Sequence, residues 1–246
     1  MKNKILFPLS FLTILAIALT ACVKDAKDAP AKAPEVVSDS WSEEFDDASA
    51  LGKKGWVITN NSDKIGMEAW RQGRYESTNK YTFGLDYVVG FPAYSASKSP
   101  NDFISCDMYA GAAVANMSVW LISPATKMKN GDQIIFYTRD AIDDGSFSAK
   151  DGTDRLQVRA NYTTTTTNVG KLWTDVGDFK TLLLDINPNL AFQGYPQTWT
   201  QATITLSGIT GTVSGRFAFR LFIANGGPDG LNAGMVGVDA LKFVSK

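Results

Sequence analysis

Histidine is absent from this 246-residue chain. That absence excludes serine–histidine–aspartate and cysteine–histidine nucleophiles, zinc sites of the HExxH type and any imidazole acid or base. The chain also lacks a surplus of positive charge, because 24 Lys and Arg residues face 25 Asp and Glu residues and the net charge is -1. Without strong basicity there is no electrostatic reason to expect nucleic acid as a partner.

Cysteine is almost as scarce, with two residues, Cys22 and Cys106. Residues 1–21 have a basic start and a short apolar stretch, which is typical of a signal peptide and not of a membrane-spanning helix. The tetrapeptide Leu-Thr-Ala-Cys at 19–22 matches the bacterial lipobox, in which the cysteine is acylated and becomes the first mature residue. We therefore predict a lipoprotein signal peptide over 1–21 and a lipidated Cys22, which leaves no intramolecular disulfide. The alternative is a plain secretory signal in which Cys22 is incidental.

The residues behind Cys22 are rich in Ala, Pro, Lys and Asp and lack hydrophobic periodicity. This composition predicts a disordered tether over 22–40, starting at the lipidated cysteine. Val23, where proteobacterial sorting would place Asp to retain a lipoprotein, favours the outer membrane. Lys24-Asp25 resembles the surface-export signals of Bacteroidetes lipoproteins. We expect a lipid-anchored protein of the outer membrane that faces the cell exterior, with the membrane as its first partner.

From residue 41 to residue 246 the chain shows no linker that would divide domains, and its apolar content is sufficient for a core. Short apolar or alternating runs lie between Gly, Asn, Asp and Pro residues, and helical spacing is poor. The strongest strand predictions are 56–59, 119–122, 133–138, 155–160, 202–206, 216–223 and 237–244. This pattern predicts one all-β domain over 41–246, a sandwich of two antiparallel sheets.

Two sequence blocks carry a resemblance to a known family. They are Trp120-Leu-Ile-Ser-Pro124 and, near the end, Val236-Gly-Val-Asp-Ala-Leu241. In this order they resemble the cleaved-adhesin and choice-of-anchor J domains of Bacteroidetes surface proteins, over about 43–245. The resemblance implies a MAM-like jelly-roll β-sandwich, related to carbohydrate-binding modules, that serves adhesion or binding and often holds calcium. The stretch 74–115 is longer than the family pattern, so the resemblance implies no ligand specificity for it.

Carboxylates lie near both ends of the predicted domain, in the cluster 43–47 and at Asp239. The first and last strands of a jelly roll commonly come together, so these carboxylates could share one cation. Calcium suits such a site because it is a hard ion that takes about six to eight oxygen ligands. The resemblance supports Glu44 and Asp239 as metal ligands, with Asp46 as a further candidate. The alternative is a set of solvated surface carboxylates around a buried Phe45.

Five aspartates crowd the region 140–154. Asp143 and Asp144 are adjacent, so the spacing does not fit an EF-hand. Neighbouring loop aspartates also do not provide the acid and partner, held apart across a cleft, that a glycosidase needs. We therefore expect a polar hairpin here, and a protein that is not an enzyme.

Aromatic residues divide into two groups. The tryptophans within apolar strands are expected in the core: Trp56, Trp120 and Trp199. Trp70 and Trp173 have polar neighbours, and 74–115 is rich in tyrosine and phenylalanine. A rigid aromatic plane can stack on a sugar ring. We predict four aromatic ligand contacts, with core packing as the alternative for most of them: Trp70, Tyr81, Tyr87 and Tyr94.

The sequence thus predicts a cell-surface lipoprotein with a non-catalytic binding or adhesion module. Its ligand would be a carbohydrate or a host protein. The alternative function is that of a structural accessory subunit in an outer-membrane uptake or attachment complex.

Overall fold

The computed structural model of the chain describes residues 39–75, 90–141 and 153–246. These residues form twelve strands and 3-10 helices at Ala48–Lys54 and Met108–Ala110. The strands are β1 (Trp41–Glu43), β2 (Val57–Asn60), β3 (Arg71–Gln72), β4 (Ile104–Asp107), β5 (Ala115–Ile122), β6 (Thr126–Met128), β7 (Gln133–Asp140), β8 (Leu156–Asn161), β9 (Thr181–Ile186), β10 (Thr200–Thr205), β11 (Val213–Gly226) and β12 (Met235–Val244). Within the described ranges, no helix has the length and apolar character needed to cross a membrane.

The strands pair into two antiparallel sheets of six strands each. The first sheet has the order β10-β7-β12-β4-β3, with β1 also paired to β12; the second has the order β2-β5-β11-β8-β9, with β6 also paired to β11. The chain therefore crosses between sheets repeatedly, for example from β4 to β5 and from β7 to β8. The predicted fold, an all-β jelly-roll sandwich of two antiparallel sheets, is confirmed.

The alternation of side chains along β11 shows how the core forms. Phe217, Phe219 and Leu221 point between the sheets and are fully buried. The Phe219 ring meets Phe136 of the opposite sheet with ring centroids 4.9 Å apart and near-perpendicular planes. Burying a side chain of this size contributes roughly 1.5–3 kcal/mol. Successive side chains of a strand face opposite sides, so the residues between them, such as Arg220, face away from the core.

The outer face of the second sheet is covered by the irregular segment 162–180. Two buried arginines of β11 hold this segment through its backbone carbonyls. The Nε atom of Arg216 donates to the Thr165 carbonyl at 2.7 Å, and an Nη atom of Arg220 donates to the Asp175 carbonyl at 3.1 Å. An irregular segment has carbonyls without strand partners, so buried guanidinium groups supply the donors that it needs.

Part of the outer face of the first sheet is covered by the segment 90–103, which belongs to the long stretch before β5. Phe91 and Phe103 stack on each other and contact Trp199 edge to face. Gly237 of β12 makes room for them, because a Cβ atom there would lie 2.7 Å from Phe91 and 2.9 Å from Trp199. Glycine is thus required at this position for the segment to pack on the sheet.

Candidate functional site

An open cavity of about 330 Å³ lies on the outer face of the first sheet. Its floor is formed by Ile135 and Tyr137 of β7, which point outward because Ile134 and Phe136 point into the core. Further residues on its surface are Glu44, Tyr94, Ser95, Gln201, Ala240 and Lys242. The volume is at the lower end of the roughly 300–1,000 Å³ that small-molecule sites occupy.

Strand register places the polar residues around this floor. Gln201 of β10 lies directly opposite Tyr137, and Lys242 of β12 lies directly opposite Ile135. Directly paired residues of antiparallel strands share one face, so these side chains converge on the cavity. The Tyr137 hydroxyl donates to Gln201 Oε1 at 2.9 Å, which fixes the tyrosine ring.

Tyr94 forms the upper part of the cavity. Its ring stacks on Tyr137 with centroids 3.6 Å apart and planes at 15°, and its side chain is 46% exposed. Hydrogen bonding to the neighbouring Tyr137 side chain raises the pKa of Tyr94 above the ordinary tyrosine value, and the phenol would be neutral at physiological pH without that shift as well. Tyr94, predicted from sequence as a ligand contact, therefore offers a solvent-facing aromatic surface in the cavity.

Asp239 lies beneath Tyr94 and is fully buried. Its Oδ2 atom accepts the backbone N–H of Ser95 at 2.9 Å, and its Oδ1 atom accepts the N–H of Ala240 at 2.7 Å. Burial raises the pKa of Asp239 to about 6, and the negative charge of Glu44 acts in the same direction. A pKa of about 6 lies close to neutral pH, and the carboxyl group is held by two backbone N–H groups.

The three predicted metal ligands come to one region but do not form a cation site there. Asp46 is exposed and accepts a hydrogen bond from the Ser97 hydroxyl at 2.8 Å. Each oxygen of Asp239 accepts a backbone N–H group, and the side chain is fully buried. Among residues 39–75, 90–141 and 153–246, no group of three or more acidic, cysteine or histidine side chains could hold a metal ion. The donors as arranged do not fit calcium bound jointly by Glu44, Asp46 and Asp239, and calcium here stays a sequence prediction.

The prediction that Trp70 contacts a ligand at the surface is wrong. The side chain is 3% exposed and belongs to the core between the sheets. Its indole Nε1 donates to the Val119 carbonyl at 3.0 Å, which satisfies the only polar atom of the ring and permits its burial. The polar neighbours of Trp70 in sequence do not reflect its surroundings in space.

The other predicted residues have different outcomes. Tyr81, Tyr87 and Cys22 lie outside the described residues. Trp199 was expected in the core, but it is half-buried on the outer face of the first sheet, where its Nε1 donates to the Pro92 carbonyl at 2.8 Å. Trp173 is half-buried as well, with its ring 5.3 Å from that of Phe222.

The sequence analysis did not predict the three polar side chains that the strands contribute to the cavity: Tyr137, Gln201 and Lys242. A local signal existed for each. Tyr137 and Gln201 occupy the outward positions of alternating strands, and Lys242 interrupts an apolar run in β12. Their convergence depends on which strands pair, and the sequence does not show that.

No family model matches the chain, and no curated protein matches it. Solved structures similar to it include the K1 cleaved adhesin domain of Lys-gingipain from Porphyromonas gingivalis, at 15% identity and a TM-score of 0.47, over 84% of this chain and 98% of that domain. The K2 domain of the same protein gives 16% identity and a TM-score of 0.46 over the same shares. A family 11 carbohydrate-binding module from Clostridium thermocellum, solved with a β-1,3-1,4-mixed-linked tetrasaccharide, gives 11% identity and a TM-score of 0.40, over 86% of this chain and 98% of that module. At these sequence identities and TM-scores, the similarity does not establish a function for this chain.

Proposed function

We propose that the chain is a non-catalytic binding module and that its cavity takes a carbohydrate. One observation carries the proposal: the half-exposed Tyr94 ring rests on Tyr137 and is framed by Glu44, Gln201 and Lys242. A sugar ring presents an apolar face of C–H groups and an edge of hydroxyls. An aromatic surface with a few convergent donors and acceptors is complementary to both.

The charges around the cavity favour an uncharged saccharide. Glu44 and Lys242 line the cavity as one acidic and one basic side chain, and the Asp239 carboxyl group is buried next to Tyr94. The lining therefore has no net charge of either sign to attract a charged ligand. We therefore propose neutral glycans as the ligand class.

The different accessibility of Glu44 and Asp239 supports a binding role and not glycoside hydrolysis. Glycosidases use two carboxyl groups that both reach the scissile bond. Asp239 is buried and accepts backbone hydrogen bonds through both oxygens, so Glu44 is the carboxylate left to contact a sugar in this cavity. A single accessible carboxylate supplies polar recognition and not the paired acid and nucleophile.

We propose that lipidated Cys22 anchors this module in the outer membrane, facing the cell exterior. The lipobox at 19–22 supports the anchor, and Val23 and Lys24-Asp25 support the location. More than one acyl chain makes such an anchor stable. The function would then be the capture of neutral glycans at the cell surface.

A glycan array tests the proposal, with each neutral glycan printed beside a sialylated, sulfated or uronic-acid counterpart. We expect binding to neutral glycans, and Tyr94→Ala should weaken it by about tenfold or more, because truncating a central aromatic contact costs over 1 kcal/mol. Phe192→Ala is the matched control, since Phe192 is 54% exposed and does not line the cavity. Glu44→Gln should reduce the discrimination against acidic glycans. An array on which the protein binds no glycan would refute the proposal.

A second candidate function, an accessory subunit of an outer-membrane complex, is favoured by a separate apolar surface. Ile65, Met67, Val114 and Leu231 are all exposed, and the three segments that carry them hydrogen-bond one another. Such a surface suits a protein partner. In cells, Met67→Lys together with Leu231→Lys should abolish cross-linking of the chain to a defined membrane protein. If that cross-link is never formed by the native chain, this candidate fails.

A further inference from the structure

Asp239 connects two parts of the fold that are far apart in sequence. Its partner Ser95 lies 144 positions earlier, and the hydrogen bond from the Ser95 N–H joins the segment 90–103 to β12. A buried carboxylate is costly unless its oxygens are hydrogen-bonded. The N–H groups of Ser95 and Ala240 meet that requirement, one at each oxygen.

A β-bulge creates this arrangement. The register between β7 and β12 shifts between Asp239 and Lys242, and Ala240 has a φ of 48°. A left-handed conformation is unfavourable for a residue with a Cβ atom and is kept where the surroundings enforce it. At Ala240 it turns the backbone N–H onto the carboxylate of Asp239.

A second carboxylate, that of Asp102, stabilises a turn within the segment 90–103. The Oδ2 atom of Asp102 accepts the backbone N–H groups of Ser97, Lys98 and Ser99 at 3.0, 2.6 and 2.9 Å. These hydrogen bonds, the one from Lys98 foremost, lower the pKa of Asp102, so this carboxylate stays ionised. The segment thus has a defined turn at 97–102, and Ser95 is its point of attachment to the sheet.

The attachment point decides where Tyr94 sits. The Ser95 N–H belongs to the peptide bond that follows Tyr94, so the Asp239 hydrogen bond fixes the backbone beside the ring. Tyr137, on which the ring stacks, is the direct cross-strand neighbour of Asp239. One carboxylate therefore aligns the aromatic surface with the floor of the cavity.

We propose that Asp239 is the positioning residue of the cavity: it holds the backbone at Ser95 and thereby keeps the Tyr94 ring over Tyr137. What the cavity binds rests on the proposed function; the positioning of Tyr94 does not. The role also accounts for the two N–H groups that face the oxygens of Asp239.

Hydrogen exchange tests the positioning without any ligand. Asp239→Asn keeps the side-chain shape, but its amide group is a donor and leaves one backbone N–H without an acceptor. We expect the Ser95 amide to exchange about tenfold faster, as for the loss of a charge-assisted hydrogen bond. Asp132→Asn is the matched control, because Asp132 is also buried and accepts the N–H groups of Lys129 and Lys246 at 2.9 Å each. It should leave Ser95 exchange unchanged.

A double-mutant cycle on the glycan array separates positioning from general stability. For the neutral glycans that the native protein binds, Asp239→Asn and Tyr94→Ala should each weaken binding, and the double variant should be no weaker than Tyr94→Ala alone. Additive losses would overturn the proposal, as would unchanged Ser95 exchange in Asp239→Asn. So would a chelator that speeds Ser95 exchange in the native protein as much as Asp239→Asn does, since Asp239 would then act through a metal. If the native protein binds no glycan, the proposed function fails while the exchange result still decides the role of Asp239.

Discussion

Arg220 offers the sharpest test of how the second sheet is stabilised. The side chain is 1% exposed, and its guanidinium lies 3.8 Å from the Phe222 ring centroid and 4.6 Å from that of Trp120. It donates to Ser118 Oγ at 3.0 Å and to the carbonyls of Trp173 and Asp175. Burial lowers the pKa of Arg220 to about 9, which still leaves the guanidinium group charged at neutral pH.

Arg220→Met keeps the apolar stem and removes every donor. The loss of the cation–π contacts costs about 0.5–2 kcal/mol, and each buried acceptor left unsatisfied costs about 1–3 kcal/mol. We expect the free energy of unfolding to fall by about 3–5 kcal/mol, a value typical of a broken buried network. Arg220→Lys should lose most of the same amount, because one ammonium cannot replace a planar fork of donors.

Arg155 provides the matched control. It lies 4.9 Å from the same Phe222 ring and pairs with Asp185 at 2.7 Å, but it is 20% exposed. Arg155→Met should cost about 1–2 kcal/mol, less than Arg220→Met, because Arg155 and Asp185 form a bidentate pair that keeps partial access to water. Urea unfolding followed by circular dichroism measures all three variants. The reasoning is refuted if Arg220→Lys matches the native protein, or if Arg155→Met costs as much as Arg220→Met.

Three further predictions concern the lipid anchor, the stability of the fold at acidic pH and the binding of calcium. Cys22→Ser should move the protein out of the detergent phase; continued fractionation with membranes would refute the lipid anchor. Because its pKa in the folded state is lowered from 3.8, Asp102 stabilises the fold above that value and loses this contribution as the pH falls through its folded pKa. The free energy of unfolding, measured from about pH 5 to about pH 3, should therefore fall less in Asp102→Asn than in the native protein. A chelator tests the calcium site predicted from sequence: a decrease in melting temperature of several degrees that Asp239→Ala abolishes would support the site, and an unchanged melting temperature would contradict it.

Much of the fold could be read from the sequence because strand signals are local. The apolar run predicted at 133–138 and the alternating runs predicted at 155–160 and 202–206 differ by two residues or fewer at each boundary from β7, β8 and β10. Alternation needs no knowledge of the partner strand. The threonine run at 163–167 lies in the irregular segment 162–180, where Arg216 donates to a carbonyl of the run. That contact joins residues 51 positions apart and leaves no local signal.

The cavity was harder to predict because it depends on register. Tyr94 could be found from the local density of aromatic residues. Tyr137, Gln201 and Lys242 come from three strands that meet only through the pairings of β7 with β10 and β12. Asp239 was predicted as a metal ligand, but the sequence did not show that backbone N–H groups hydrogen-bond to both of its oxygens.

The pairing of β1 with β12 has a mechanical consequence. Ser42 of β1 lies opposite Lys242, and Glu44 follows β1 directly, so the chain enters the domain beside the cavity. If the N-terminus is anchored and a glycan is held in the cavity, a pulling force between the two would pass through the residues from Ser40 to Glu44. The second sheet, with Arg220, lies off that path. The three residue pairs of β1 would then carry this force before it reaches the rest of the first sheet.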